Sequence, residues 1–177
     1  MTPKSVMLMA NYNRWMNDRL HAACEQLSHQ ELLQDKGAFF GSILGTLNHI
    51  AVGDTIWLHR FSTLPGGFKS LRQLCTYPHP TSLSETLASD LPTWRAYRTR
   101  LDELILHWTN EITETQLITP LTTTNMHGIS ATRMLGPLLQ HIFNHQTHHR
   151  GQVSTLLFQV GVDVGETDLL SLIPDMA

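Results

Sequence analysis

The chain has 177 residues, 41% of them hydrophobic and 15% charged, with a formal net charge of -3. That length suits one domain spanning residues 1–177 and suffices to bury a sizeable core. The charge balance offers no broad electrostatic attraction for nucleic acid or an anionic membrane surface, and no apolar run approaches the roughly 20 residues that span a bilayer.

Near the N-terminus, the apolar run from Val6 to Ala10 is too short for a signal-peptide core. Cys24 and Cys75 form no CxxC pair and read as free thiols in a reducing compartment, which points to a cytoplasmic protein.

The first helix is predicted over about residues 4–27, where Tyr12, Trp15, Met16, Leu20, Ala23 and Leu27 recur at three- and four-residue spacing. Ser28 and Glu31 form a capping-box pattern that starts a short helical turn, which Gly37 ends. A second long helix begins at Gly41 and Ser42 and reaches Phe61. Its stripe is Leu44, Leu47, Ile50, Ala51, Trp57, Leu58 and Phe61, and Pro65, Gly66 and Gly67 stop it. The stretch through Tyr77, Pro78, His79 and Pro80 is long enough for a crossover between helices.

A third helix is predicted over about residues 82–108, buried through Leu87, Leu91, Trp94, Leu101, Leu104, Ile105 and Trp108. Pro92 either kinks it or sits in the first turn of a helix that begins near Asp90; the kink is the preferred reading. Arg95, Arg98 and Arg100 read as a solvated face. A small β-hairpin is predicted across residues 118–124 and 128–133, with turn residues between. Gly136 and Pro137 suit the first turn of a final helix that runs to Val160 and stops at Gly161. The remainder is an extended tail against the bundle. The fold class is therefore all-α, a four-helix bundle with long crossovers and a small hairpin before the last helix.

Histidine carries the chemistry. Of 11 histidines, His141, His145, His148 and His149 crowd into one helical stretch. His145 and His149 are four residues apart, on one helix face, a spacing that lets two imidazoles converge on one ion. The candidate third ligand is His49 on the second long helix, where Gly45 and Gly53 leave room beside the ring. Three protein ligands and an open position are the pattern of a catalytic metal site. Spacing by itself leaves a second reading open: His49 as a core histidine bonded to a carbonyl, and the HxxxH pair as part of a histidine-rich surface. Tyr12, Trp15 and Trp57 read as core aromatics, and Asp54 and Glu31 as capping or solvated carboxylates. His141, His148 and Gln152 are candidates for orienting a ligand or moving a proton.

The run Asn144-His145-Gln146-Thr147-His148-His149-Arg150-Gly151-Gln152 resembles the C-terminal signature of the DinB family of metalloenzymes. Residues 37–50, followed by Asp54 and residues 57–61, and the early block 12–17 resemble it too, in the expected order and across nearly the whole chain. The resemblance implies an up-down-down-up bundle, commonly a homodimer, holding a divalent ion, zinc or nickel, through His49, His145 and His149. Related thiol-dependent isomerases and transferases can carry a carboxylate at the middle position, where this chain has His145. The implied function is thiol transfer to a small electrophile through a low-molecular-weight thiol. The alternatives are a metal-dependent hydrolase of a small substrate and a non-catalytic metal-binding stress-response protein.

Overall fold

The computed structural model describes residues 1–175. Helix α1 (Pro3–Cys24) is followed by a short α2 (His29–Leu33), α3 (Ile43–Phe61), a 3-10 segment (Ser70–Thr76) and α4 (Leu91–Thr109). Then come α5 (Glu114–Leu117), strands β1 (Pro120–Thr124) and β2 (Ser130–Met134), α6 (Leu135–Gln159) and a 3-10 turn (Leu169–Leu172). The four long helices make an all-α bundle, and β1 and β2 form an antiparallel hairpin with Leu121 opposite Arg133.

Pairings between side chains define the helix directions. Asn17 and His21 of α1 meet Asp102 and Trp94 of α4, so these helices are antiparallel. Leu47 and Phe61 of α3 meet Trp94 and Trp108 of α4, which makes that pair parallel. His49 and Trp57 of α3 meet His149 and His141 of α6, again antiparallel. The order is up-down-down-up. A parallel α3–α4 pair requires the long crossover, and that segment is itself anchored by buried Leu64, Phe68, Leu71, Leu74 and Tyr77.

Local chemistry accounts for most boundaries. Thr2 caps α1, Ser28 and Glu31 form the expected capping box, and Ser42 accepts from the Gly45 amide at the start of α3. Helix α1 stops at Cys24 rather than 27, and α2 ends at Leu33, four residues before the left-handed Gly37. Pro92 does not kink a longer helix. Helix α4 begins at Leu91, Asp90 accepts from the Thr93 amide, and proline lies in the first turn, where its missing N–H leaves no hydrogen bond unmade. Residues 82–90 are therefore part of the crossover. Helix α6 ends at Gln159, with Gly161 in the left-handed conformation at φ 84°.

The arginine reading needs a correction. Arg98 is fully buried, on the same side of α4 as Trp94 and Leu101. Its guanidinium pairs with Asp54 of α3 at 2.5 Å and Asp102 of α4 at 2.9 Å. Asn17 of α1 donates to Asp102, and Gln146 of α6 donates to Asp54. One polar cluster thus ties all four long helices together. Desolvation raises the Asp102 pKa, opposed by the charge of Arg98. Cys24 is buried and Cys75 exposed, both as free thiols. Among the described residues no helix is long and apolar enough to cross a membrane.

Candidate metal centre

Antiparallel packing of α3 on α6 brings His49 to face His145 and His149 across 96 and 100 residues of chain. The Nε2 atom of His49 lies 3.0 Å from Nε2 of His145 and 3.2 Å from Nε2 of His149. One ligand atom from each of the three falls within 4.8 Å of the others. His49 and His149 are buried, and His145 is half-buried.

Neighbouring groups fix two of the rings. The Leu83 carbonyl lies 2.8 Å from Nδ1 of His49, and a carbonyl only accepts, so that nitrogen carries the proton. The Gln152 side-chain oxygen lies 2.7 Å from Nδ1 of His149 and accepts in the same way. Gln152 is in turn bonded through its amide nitrogen to His148, at 3.3 Å. Both Nε2 atoms of His49 and His149 are then unprotonated, and their lone pairs face each other at 3.2 Å. No hydrogen bond can form between two acceptors. A cation placed among the three rings satisfies both, and tetrahedral coordination at ordinary zinc–nitrogen lengths sets ligand nitrogens roughly 3.3 Å apart. The donor set fits a divalent ion.

The protonation states agree. Burial pushes all three histidines below the ordinary value of 6.5. For His145 burial, reinforced by repulsion from His149 and His49, takes it to about 3. The hydrogen bonds from Leu83 and Gln152 act in the opposite direction on His49 and His149, without reversing the shift. All three are neutral near pH 7, the form that binds metal.

Two positions make the arrangement possible. A Cβ at Gly53 would approach Cε1 of His145 to 3.0 Å, so the missing side chain leaves room for that ring. Gly45 has a different reason from the one its spacing suggested: a Cβ there would collide with the Phe40 carbonyl, not with His49. Phe40 itself stacks on His49, with ring centroids 3.7 Å apart, and meets His149 edge-on at 5.5 Å.

Other expectations resolve individually. Glu31 caps α2, as expected, but Asp54 is neither a cap nor solvated: it is buried and paired with Arg98 and Gln146. Tyr12 is buried, whereas Trp15 and Trp57 are half-buried. Trp57 lines the cleft beside the histidines. His141 is exposed, stands edge-on to Trp57 and lines that cleft as well. Sequence pattern leaves Phe40, Leu83, Arg98, Asp102 and Asn17 outside the site and its support. For Arg98 a signal existed, since it falls four residues after Trp94 on the apolar stripe. For Leu83, a backbone carbonyl in a loop, none did.

A bundle whose facing helices converge three neutral imidazoles around a cation-sized space defines the class of helical proteins with a candidate three-histidine metal centre. The chain belongs to the DinB family, whose model matches residues 1–175. It is 27% identical over 159 residues to Protein DinB of Bacillus subtilis (strain 168), covering 89% of this chain and 87% of that one. It is also 26% identical over 149 residues to the uncharacterized protein YizA of the same organism, covering 84% of each chain.

Proposed function

We propose that the protein is a divalent-metal-dependent enzyme that directs a low-molecular-weight thiol onto a small electrophile. The observation that carries the reading is the ligand set: three neutral imidazoles hold an ion without cancelling its charge. When bound, a zinc or nickel ion supplies Lewis acidity that makes a thiol at its open position more acidic. In the reaction the thiol loses its proton, sulfur bonds to the electrophilic carbon, and the leaving group departs with the bonding pair and takes up a proton.

The chain's own residues hold and shield this chemistry. Leu83 and Gln152 present the two lone pairs, and Phe40 covers one side of His49. Neither cysteine supports a protein nucleophile. Cys24 is buried, its pKa pushed up to about 12, and Cys75 lies beside His59 and His79, in a different hollow from the three histidines. The sulfur therefore comes from a small molecule. Metal-dependent hydrolysis is the second reading, favoured by His141 at the cleft: the partial desolvation its ring meets there and the charges of Arg133 and Arg60 lower its pKa, so it is neutral near pH 7 and able to accept a proton.

Protein purified without an affinity tag is first analysed for metal, then supplied with glutathione, bacillithiol or mycothiol and an alkylating electrophile. Turnover that requires the ion and is abolished by His49→Ala supports thiol transfer. Turnover with water but no thiol moves the assignment to hydrolysis. A metal content near zero that added zinc or nickel does not raise overturns both.

A further inference from the structure

Two of the three histidines, His49 and His145, border a cleft whose other walls have a consistent electrostatic character. Beside His49 and His145 lies a space of about 280 Å³, walled by Gly53, Ile56, Trp57 and Arg60 and by the hairpin turn at Asn125 and Met126. A hollow of about 420 Å³ adjoins it, sharing Trp57, Arg60, Asn125 and His141 and adding Arg133 of β2. Among the described residues no aspartate or glutamate lines either space. Among the described residues neither Arg60 nor Arg133 forms a salt bridge.

Arg60 is the informative one. Its guanidinium lies 4.7 Å over the Trp57 ring, and Nη2 donates to the Thr124 carbonyl at 3.0 Å. These contacts hold the group in place and use one of its five N–H donors. A half-buried guanidinium without a carboxylate partner is poorly compensated, and desolvation accordingly lowers its pKa. Arg133 lines the same hollow as Arg60 and His141. A fixed arginine stacked on an aromatic ring, with a second lining the same hollow, is suited to an oxyanion, which planar guanidinium binds through paired hydrogen bonds.

We propose that the cleft takes a small organic anion, its carboxylate or phosphate held by Arg60 and Arg133 above Trp57 while its other end reaches the three histidines. This rests on the reading that those histidines hold an ion with a position open to the cleft. With three neutral ligands the ion adds its own positive charge to that of the arginines, so an anionic thiol is matched at both ends and an uncharged one only at the ion.

The test uses cobalt(II)-loaded protein, titrated with 3-mercaptopropionate and its uncharged analogue 3-mercaptopropanol while the visible spectrum of the ion is followed. The mercaptocarboxylate should bind at least tenfold more tightly. Arg133→Gln, at an exposed strand position, and Arg60→Gln should each erase most of that preference, and Arg60→Lys should retain part of it. Equal affinities for the two thiols overturn the anion site and leave the thiol reading standing. A spectrum unchanged by either thiol removes the thiol reading. Calorimetric titration with glutarate and propyl phosphate then judges the anion site alone. Binding that Arg133→Gln weakens sustains it, the tighter ligand telling carboxylate from phosphate; no binding, or binding the variant retains in full, overturns it.

Discussion

Gln146 on α6 donates to Asp54 on α3 at 2.5 Å, one residue after His145 and five after His49. The two helices that carry the histidines are therefore pinned to each other in register beside the place where their imidazoles meet. Arg98 holds the other carboxylate oxygen of Asp54, so the pin is anchored to α4 as well.

Asp54→Ala should be among the most damaging single substitutions. It strands the fully buried Arg98 with only Asp102 for charge compensation and removes the acceptor of Gln146. Breaking a buried pair from one side costs about 3–5 kcal/mol, read as a drop in the urea midpoint of metal-free protein. A loss below about 1 kcal/mol would show that the cluster contributes little to the fold.

Gly53→Ala should separate metal affinity from stability. Alanine favours the helix by up to about 1 kcal/mol, while its Cβ would crowd Cε1 of His145 at 3.0 Å. The expected result is a thermal midpoint changed by only a few degrees and metal affinity reduced several-fold, measured by competition with a chromogenic chelator. Undiminished affinity would mean that His145 moves aside freely.

Gln152→Leu removes the acceptor that keeps the proton of His149 on Nδ1. Loss of such a supporting contact typically weakens metal binding by about 10–100-fold. Gln152→Glu, which still accepts, should restore most of it. If both variants bind metal as the parent does, the ring is held by something other than residue 152.

The pH dependence has a defined sign. His145 is held at about 3 in the folded chain against an ordinary 6.5, chiefly by burial. Above the ordinary value both folded and unfolded forms are neutral and the group adds no pH dependence. Between the two values the unfolded chain binds a proton that the folded chain refuses, so stability falls as pH falls. His49 and His149 are lowered as well and act in the same direction. Urea midpoints of metal-free protein should decline from about pH 7 to about pH 5, and less steeply in His145→Gln. Parallel curves for the two proteins would contradict the assignment. Because burial holds all three imidazoles below the ordinary 6.5 in the folded chain, metal occupancy should outlast pH 6 and fall only at lower pH, where protons begin to compete for them.

Much of this molecule is written in local pattern. The caps at Ser28 and Ser42, the hairpin before α6 and the shared face of His145 and His149 depend on residues within a few positions of one another, and periodicity exposes them. Pro92 shows the edge of that legibility. An interior kink and a first-turn proline suit the same residues, and the choice falls to Asp90, whose carboxylate is free to cap Thr93 once residues 82–90 are drawn into the crossover. Arg98 shows more. Its place on the apolar stripe was visible, but its burial is tolerable only because Asp54, distant in sequence, arrives opposite it.

Backbone periodicity marks the cores of the long helices, their buried stripes and the histidines that share a face of α6, though not the start of α4 or the end of α1. Whether His49 meets that pair depends on the rotation and register of α3 against α6, and packing of the whole bundle sets both. The path of the crossover brings the Leu83 carbonyl to the Nδ1 proton of His49, 34 residues away, whereas Gln152 reaches His149 within one turn of α6. Those two contacts turn three nearby imidazoles into a site with unpaired lone pairs facing inward, the arrangement a cation completes.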